Sequence, residues 1–350
     1  VRAIVVHRPG GYDRLGLEDL PDPHPSRGDV VVRVRAAGVN YADCIVRMGL
    51  YASAREYVGW PIVPGFEVAG EVDELGEGVT DLARGERVFA VTRFGAYATR
   101  VRVPRAQVFR VPSRFDLEQA AAFPAAYLTA YYAAMELARL RRGSTILVHS
   151  AAGGVGSALV EMGKIAGVCV VGVVGSSAKV EHVRALGAHA VIDKSSARLW
   201  REAERLAPKG YDAIFDANGV ETLRASYAHL ASPGKLVVYG FHSMLPRAKP
   251  TGDGSRGRVR WGKLALDWLR TPRFDPLDMT SANRSVMAFN LSYLFERPEL
   301  LEEGMRALLR WAEEGTIAPP KVTPFPFEDV ARAHRALETG TTTGKLVLVV

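Results

Sequence analysis

The sequence predicts an α/β protein in which a doubly wound parallel sheet is joined to a smaller, mostly β domain. Three observations carry that reading. The chain has 350 residues, above the roughly 250–300 at which single cores split, so two domains are expected. The punctuation changes near Leu117, from short β-like runs broken by Pro and Gly to alternating helix and strand. Residues 148–156 read Val-His-Ser-Ala-Ala-Gly-Gly-Val-Gly, a glycine-rich turn between an apolar run and a helical pattern.

In chain order, β-branched or alternating runs predict strands at 3–7, 30–36, 68–75, 87–90 and 95–103. A helix is expected over 119–140. Strands follow near Ile146, Val171, Val191, Ile214 and Val237, with helices at 157–166 and 178–186, and 285–290 supplies a sixth strand. An amphipathic helix at 299–314, a short strand at 322–324, a helix at 327–338 and a terminal strand at 345–350 complete the chain. The expected division is 1–117, 118–292 and 293–350, the last part returning to the first domain and leaving a cofactor cleft between the two. The stretch 242–257 reads as a loop, and no internal repeat is visible.

The turn at 148–156 is built to hold a pyrophosphate. Gly153 lets backbone approach a phosphate with no Cβ in the way, Gly156 allows close helix–strand packing, and the helix N-terminus offers free N–H groups. Ala151 stands where the first glycine of G-x-G-x-x-G is usual. About 20 residues on, the run 168–174 ends in Gly175-Ser176-Ser177-Ala178-Lys179 with no carboxylate. Asp or Glu at that place selects NAD through the ribose 2′-OH; small hydroxyls and Lys179 suit a 2′-phosphate. Charged hydrogen bonds contribute about 1.5–3 kcal/mol each, so two contacts set an NADPH preference near about a hundredfold. The alternative is that Ser176, Ser177 and Lys179 form a helix cap beside a solvated lysine.

Composition narrows the setting. With 48% hydrophobic and 24% charged residues and no apolar run of about 18 residues, the reading is a soluble globular protein with no integral membrane segment. Two cysteines, Cys44 and Cys169, lie outside any metal-ligand spacing, and the N-terminal run reads as a strand rather than a signal peptide, so a reduced, cytoplasmic setting is expected. Net charge is +7, part of it in Arg247, Lys249, Arg256, Arg258, Arg260 and Lys263. Nucleic acid or an anionic membrane fits such a segment. Without interleaved aromatics or any nucleic-acid motif, a solvated loop is the reading adopted, and no nucleic-acid partner is expected.

Several motifs together resemble one family across essentially the whole chain: Ala37-Gly38-Val39-Asn40-Tyr41-Ala42-Asp43, Arg47-Met48-Gly49-Leu50-Tyr51, Pro64-Gly65-Phe66-Glu67-Val68-Ala69-Gly70, the turn from Ala151 to Gly156, Asn290-Leu291-Ser292-Tyr293-Leu294 and Thr343-Gly344-Lys345-Leu346. The chain resembles the medium-chain dehydrogenases/reductases, within the zinc-independent quinone oxidoreductase branch, and most of all the vesicle amine transport protein subgroup. The resemblance implies a GroES-like mostly-β catalytic domain formed by the N-terminal part and the tail, a Rossmann cofactor domain between them, and a homodimer through edge strands of the cofactor domains. Zinc-dependent relatives place Cys and His where this chain has Asn40 and Phe66, and two cysteines cannot form their structural four-cysteine site, so no zinc is expected.

Without a Lewis acid, an activated acceptor is favoured over alcohol chemistry. NADPH can give hydride to a quinone or to the β-carbon of an α,β-unsaturated carbonyl, because conjugation moves the developing charge onto oxygen, where a few donors suffice. The resemblance sets Asn40, Asp43 and Tyr51 beside the nicotinamide. Asn40 would donate to the acceptor oxygen and Tyr51 position substrate or relay a proton; a turn asparagine, a capping Asp43 and a packed Tyr51 remain open. It also brings Phe241 and the segment Asn290, Leu291 and Ser292 to the nicotinamide, Thr129 to phosphate or ribose, and Lys345 to the phosphates. Ala152, Gly153, Gly154, Val155, Gly175, Ser176 and Lys179 would line the dinucleotide, as would Asn218, at the carboxyl edge after Asp216, unless Asn218-Gly219 is simply a turn. Lys194 stands where many relatives have a tyrosine. Tyr51, Tyr57 and Trp60 point to a flat apolar or aromatic acceptor, with quinone, enone and enoyl thioester all compatible. The other reading is an NADPH-binding protein that engages lipid or a partner with little turnover.

Overall fold

The computed structural model describes residues 1–246 and 257–350. The early strands are β1 (Arg2–Val5), β2 (Gly16–Asp19), β3 (Asp29–Val39), β4 (Glu67–Leu75), β5 (Arg87–Val91), β6 (Arg100–Pro104) and β7 (Val108–Arg110), with helices α1 (Tyr41–Met48) and α2 (Ala52–Tyr57) between β3 and β4. Helices α3 (Leu117–Ala121) and α4 (Pro124–Tyr131) follow, then β8 (Thr145–Val148), α5 (Gly154–Ala166), β9 (Cys169–Val174), α6 (Val180–Ala185), β10 (Ala190–Asp193), α7 (Leu199–Leu206), β11 (Tyr211–Asp216), α8 (Leu223–Ala228) and β12 (Leu230–Val238). The rest comprises α9 (Trp261–Arg270), α10 (Pro276–Ala282), β13 (Arg284–Ala288), α11 (Pro298–Glu313), β14 (Val322–Pro326), α12 (Val330–Thr339) and β15 (Lys345–Val349).

The chain divides into two compact units. Of the described residues, the first holds 1–125, 257–259 and 291–350; the second holds 126–246 and 260–290. Residues 118–125 therefore group with the first unit, although the change of pattern at Leu117 assigned them to the second. The reason is local: α3 is fixed by a reciprocal cap in which Gln119 N–H donates to Asp116 Oδ1 (2.7 Å) and Asp116 N–H to Gln119 Oε1 (3.0 Å), and the Ala125 N–H donates to Glu67 Oε2 on β4 (2.8 Å).

In the first unit, a sheet ordered β14-β15-β3-β4-β5-β7, with β6 added to β3, wraps a valine-rich core. Val30, Val32 and Val34 of β3 meet Val68, Val72, Val88 and Val103, and Phe327, Val330, Leu346 and Leu348 of the tail close the same core. Terminal strand β15 pairs antiparallel with β3, setting Leu346 opposite Val39. The expected strand at 95–103 begins only at Arg100, because Phe94 and Gly95 take positive φ (69° and 84°) and break the ladder.

In the second unit, six parallel strands run in the order β10-β9-β8-β11-β12-β13, the 3-2-1-4-5-6 order of a dinucleotide-binding sheet whose direction of growth reverses between its first and fourth strands. Near-continuous valine, leucine and isoleucine runs suit strands covered on both faces. Leu147, Val171, Val173, Ile214, Leu236 and Val238 pack under Ala203 and Leu223. The single helix expected at 119–140 is broken. Pro124 lacks an N–H and disfavours helical backbone before it, so α3 ends and α4 begins there, and residues Tyr132–Leu137 relax into a π-turn. Helix α9 is inverted relative to its sequence. Trp261, Trp268 and Leu269 are 67%, 64% and 72% exposed, while Asp267 is buried with Lys263 donating to it.

Candidate functional site

In the second unit, β8 ends at Val148 and the chain turns through Ser150 to start α5 at Gly154. Gly153, the N-cap, has no side chain to cap this 13-residue helix, and no described side chain bonds its first N–H groups, so they and the dipole face outward toward an anion. A Cβ at Gly156 would lie 2.2 Å from the Ser150 carbonyl oxygen, and one at Gly172 would lie 2.7 Å from Val183. Only glycine lets the turn lie on the helix and α6 lie on β9. Ala152 is buried, and Gly153, Gly154 and Val155 are half-buried at the turn's surface. This cradle fits a dinucleotide pyrophosphate.

At the end of β9, Gly175 is exposed and Ser176 precedes a single 3-10 turn, Ser177–Lys179. Burial and the neighbouring charge of Lys194 both hold Lys179 below the ordinary lysine range, and the Lys194 stem passes 3.9 Å from where a Gly175 Cβ would lie. Two cations thus converge beside the turn. The sequence places no carboxylate at the end of β9 itself, but Asp193 reaches in from β10. Its carboxylate accepts Ser177 Oγ (2.6 Å) and the Ser195 N–H (2.9 Å) and hydroxyl (2.6 Å), bonds that hold it below the usual carboxylate range. Ser177 is therefore engaged inside the protein, and Ser176, Lys179 and Lys194 are the groups that suit a phosphate.

The end of β11 is organised by buried Asp216. Its Oδ1 accepts the N–H groups of Asn218 (2.8 Å) and Gly219 (3.1 Å), and its Oδ2 accepts Thr222 Oγ1 (2.7 Å) and Ser226 Oγ (2.9 Å). Asn218 is thus a turn residue, with Gly219 at φ 90°, and its Oδ1 also accepts Ser150 Oγ from the glycine turn (3.0 Å). Phe241 is 43% exposed over Gly219. Buried His149 meets Ser226 Oγ (3.1 Å), and desolvation lowers its pKa, so it stays neutral beneath the turn. Thr129 is half-buried on α4, and Asn290 follows β13.

In the first unit, the sharp end of β3 delivers Asn40 and α1. Asn40 Nδ2 donates to Glu67 Oε1 (2.8 Å), and Lys345 Nζ, at the start of β15, donates to Asn40 Oδ1 and pairs with the same Glu67 oxygen (2.6 Å). Asp43 is fully buried. It accepts the N–H groups of Asn40 (2.7 Å) and Gly65 (2.9 Å) and the Tyr97 hydroxyl (3.0 Å), while desolvation pushes its carboxyl up to about 7. Tyr51 meets Phe66 and Phe94 edge-on, at centroid distances of 5.7 and 6.1 Å, and Trp60 and Leu291 pack on the same cluster. Ser292 is buried, bonded to Ser53 Oγ (2.7 Å), and its carbonyl accepts Arg93 Nε (3.1 Å).

The sequence-derived candidates thus gather in two sets. Asn40, Asp43, Tyr51, Leu291, Ser292 and Lys345 lie in the first unit; Thr129, Ala152–Val155, Gly175, Ser176, Lys179, Lys194, Asn218, Phe241 and Asn290 lie in the second. Lys345, expected at the phosphates, is engaged by Asn40 and Glu67. Glu67 was not among the candidates. Its signal was a carboxylate heading the apolar run of β4, directly after Phe66. Phe66 itself offers no donor atom to a metal, and among the described residues no group of three His, Cys, Asp or Glu side chains is placed to hold an ion. Arg247, Lys249 and Arg256 of the basic segment lie outside the described residues.

Two family models match: an alcohol dehydrogenase GroES-like domain over residues 26–113 and a zinc-binding dehydrogenase domain over residues 186–348. The chain is 35% identical over its full length to the rat (Rattus norvegicus) synaptic vesicle membrane protein VAT-1 homolog, covering 84% of that protein. It is 31% identical to a 2-haloacrylate reductase of a Burkholderia species, covering 100% of this chain and 99% of that one. Among solved structures, Escherichia coli quinone oxidoreductase complexed with NADPH superposes with a TM-score of 0.83 at 25% identity, with 100% of each chain covered.

Proposed function

Because the chain belongs to the medium-chain dehydrogenases/reductases, in the zinc-independent quinone oxidoreductase branch and of the VAT-1-like kind, we propose that it is an NADPH-dependent reductase of quinones or α,β-unsaturated carbonyl compounds. The observation that carries the reading is the uncapped start of α5 behind a turn in which Gly156 admits no Cβ. NADPH, when bound, supplies the hydride. The residues do the rest. The turn at Gly153–Gly156 takes the pyrophosphate on backbone N–H groups, and Lys179 and Lys194 receive the 2′-phosphate, their two charges outweighing the single one of Asp193. Tyr51, Phe66 and Phe94 give the acceptor an aromatic wall, and Asn40 donates a hydrogen bond to the oxygen on which negative charge accumulates. The acceptor gains the hydride at carbon, or as two electrons and a proton in a quinone, and a proton from solvent completes the reduction.

The activities named for the relatives support both acceptor classes: quinone reduction for the Escherichia coli protein, and reduction of a haloacrylate, a conjugated carboxylate, for the Burkholderia one. Pairing of two chains along β13, an outer strand of its sheet, and a reduced, cytoplasmic setting for the unpaired Cys44 and Cys169 belong to the same reading.

Steady-state NADPH oxidation with ortho-quinones and with enones, measured beside the Kd for NADPH, tests the function. Turnover with either class supports it; tight NADPH binding without turnover in both would leave a binding protein. Lys179→Asp tests the nucleotide assignment separately. The ratio of NADPH to NADH affinity is expected to fall about a hundredfold, the worth of two charged contacts, and an unchanged ratio rejects the assignment.

A further inference from the structure

Asn40 immediately precedes α1, where an asparagine side chain ordinarily turns back to accept an N–H of the first helical turn. At that end Asn40 and Asp43 form a capping box in which Asp43 accepts the Asn40 N–H (2.7 Å), and the Asn40 amide also meets two buried charges, Glu67 and Lys345. Glu67 is 0% exposed and Lys345 6%. Their chemistry leaves the amide one orientation. Lys345 Nζ only donates and ionised Glu67 only accepts, so Oδ1 must face the ammonium and Nδ2 the carboxylate. The flipped amide would set N–H against N–H and oxygen against oxygen. Glu67 is itself fixed, since its Oε2 holds the Ala125 N–H at 2.8 Å while Oε1 receives Asn40 (2.8 Å) and Lys345 (2.6 Å). One Nδ2 hydrogen of Asn40 is consumed by Glu67, and among the described residues the other has no acceptor.

We infer that Glu67 and Lys345 are positioning residues for the reduction, a buried charge pair that fixes the orientation of the Asn40 amide and polarises its remaining N–H toward the acceptor oxygen. This rests on the reading of Asn40 given above. A cation on the carbonyl oxygen draws electron density out of the amide, making its N–H a stronger donor, and hydrogen bonds that polarise one another in a low-dielectric site are cooperatively strengthened. The amide then waits in the orientation the transition state needs, which is the condition for preorganised electrostatic stabilisation.

The test is a mutant cycle on the full-length protein. Variants Lys345→Met/Glu67→Gln, which removes both charges together, and Glu67→Gln alone, which keeps every heavy-atom position, are made in the native and the Asn40→Ala backgrounds. In the native background kcat is expected to fall about tenfold or more, part of the about 10²–10³-fold that loss of a whole oxyanion donor costs, with the Kd for NADPH unchanged. In the Asn40→Ala background the same changes should cost no more than about twofold, the margin within which independent effects simply add. Equal losses in both backgrounds overturn the inference, as does a rise in NADPH Kd with kcat intact, which would make Lys345 a phosphate ligand. If Asn40→Ala by itself leaves kcat untouched, the donor role of Asn40 fails first and this inference with it. A readout independent of turnover is the side-chain amide pair of Asn40 in 15N-labelled protein, identified by its loss in Asn40→Ala. One proton shifted downfield and protected from exchange, and restored to ordinary values by Glu67→Gln, is expected; two unprotected protons at ordinary asparagine shifts contradict the fixed orientation.

Discussion

Asp43 is a residue whose chemistry departs far from its type. With no exposed surface and three donors on its oxygens, it has traded water for the N–H groups of Asn40 and Gly65 and the Tyr97 hydroxyl. Burial is the larger influence, so its carboxyl holds a proton up to about pH 7 in the fold, against an ordinary value of 3.8. The sign follows from linkage. Between those limits the folded chain binds a proton that the unfolded chain has lost, so the contribution to stability is full below about pH 4 and is lost as pH rises through 7. Asp43→Asn, which cannot ionise, is expected to show a shallower decline of the denaturation midpoint over that range than the native protein, as well as a lower midpoint overall because its amide presents N–H to a donor. Equal slopes would mean the carboxylate is ionised throughout. Asn40, Asp43 and Tyr51 came together in the sequence only through the family resemblance of the motifs around them, and in the fold they bracket one short helix and the turn after it. Glu67 was not, since nothing in a strand pattern distinguishes a carboxylate that faces water from one buried under a lysine 278 positions later.

At the scale of elements, the turn between β8 and α5 was the clearest sequence signal, and the structure gives its glycines unequal duties. Gly153 has its nearest prospective neighbour at 3.4 Å, whereas Gly156 would collide at 2.2 Å with a backbone oxygen that cannot move aside. Gly156→Ala is therefore expected to destabilise by about 1–3 kcal/mol and to weaken NADPH binding, while Gly153→Ala folds normally. Thermal melts and NADPH titrations of the two variants check this, and indistinguishable variants would show that close packing there is no constraint. Elements read poorly where polarity and burial disagree. Helix α9 went unrecognised because its apolar residues Trp261, Trp268 and Leu269 face outward and its acidic Asp267 faces inward, the reverse of the rule from which periodicity is read. Helices α2 and α8 are six residues each, too short to establish a period. The broken helix at Pro124 carried its own warning, for proline is tolerated at a first helical position and seldom elsewhere.

For the whole molecule, alternation of helix and strand was enough to give the second unit its strand count and parallel direction, because each buried strand is a continuous apolar run and each crossover is covered by a helix. The first unit was harder. Its sheet joins β3 to β15, segments that lie far apart in sequence, and pairing at such distance leaves no local trace. Holding a ligand adds stability by mass action. NADPH at 100 times its Kd should add about 2.7 kcal/mol, with NADH at the same concentration giving a smaller rise in melting temperature. Dialysis against a chelator should leave the melting temperature and NADPH turnover unchanged, and a fall in either would demand a metal that Asn40 and Phe66 are not equipped to bind.

Gly38 sits on β3 beside the carboxylate of Glu67, where an added Cβ would come within 2.3 Å of Oε1 and 2.4 Å of the Ala121 carbonyl oxygen. The hydrogen at that α-carbon is what leaves room for the acid. Any larger residue at position 38 would therefore press at once on the Ala121 backbone and on the Glu67 carboxylate, dislodging the anion that neutralises Lys345.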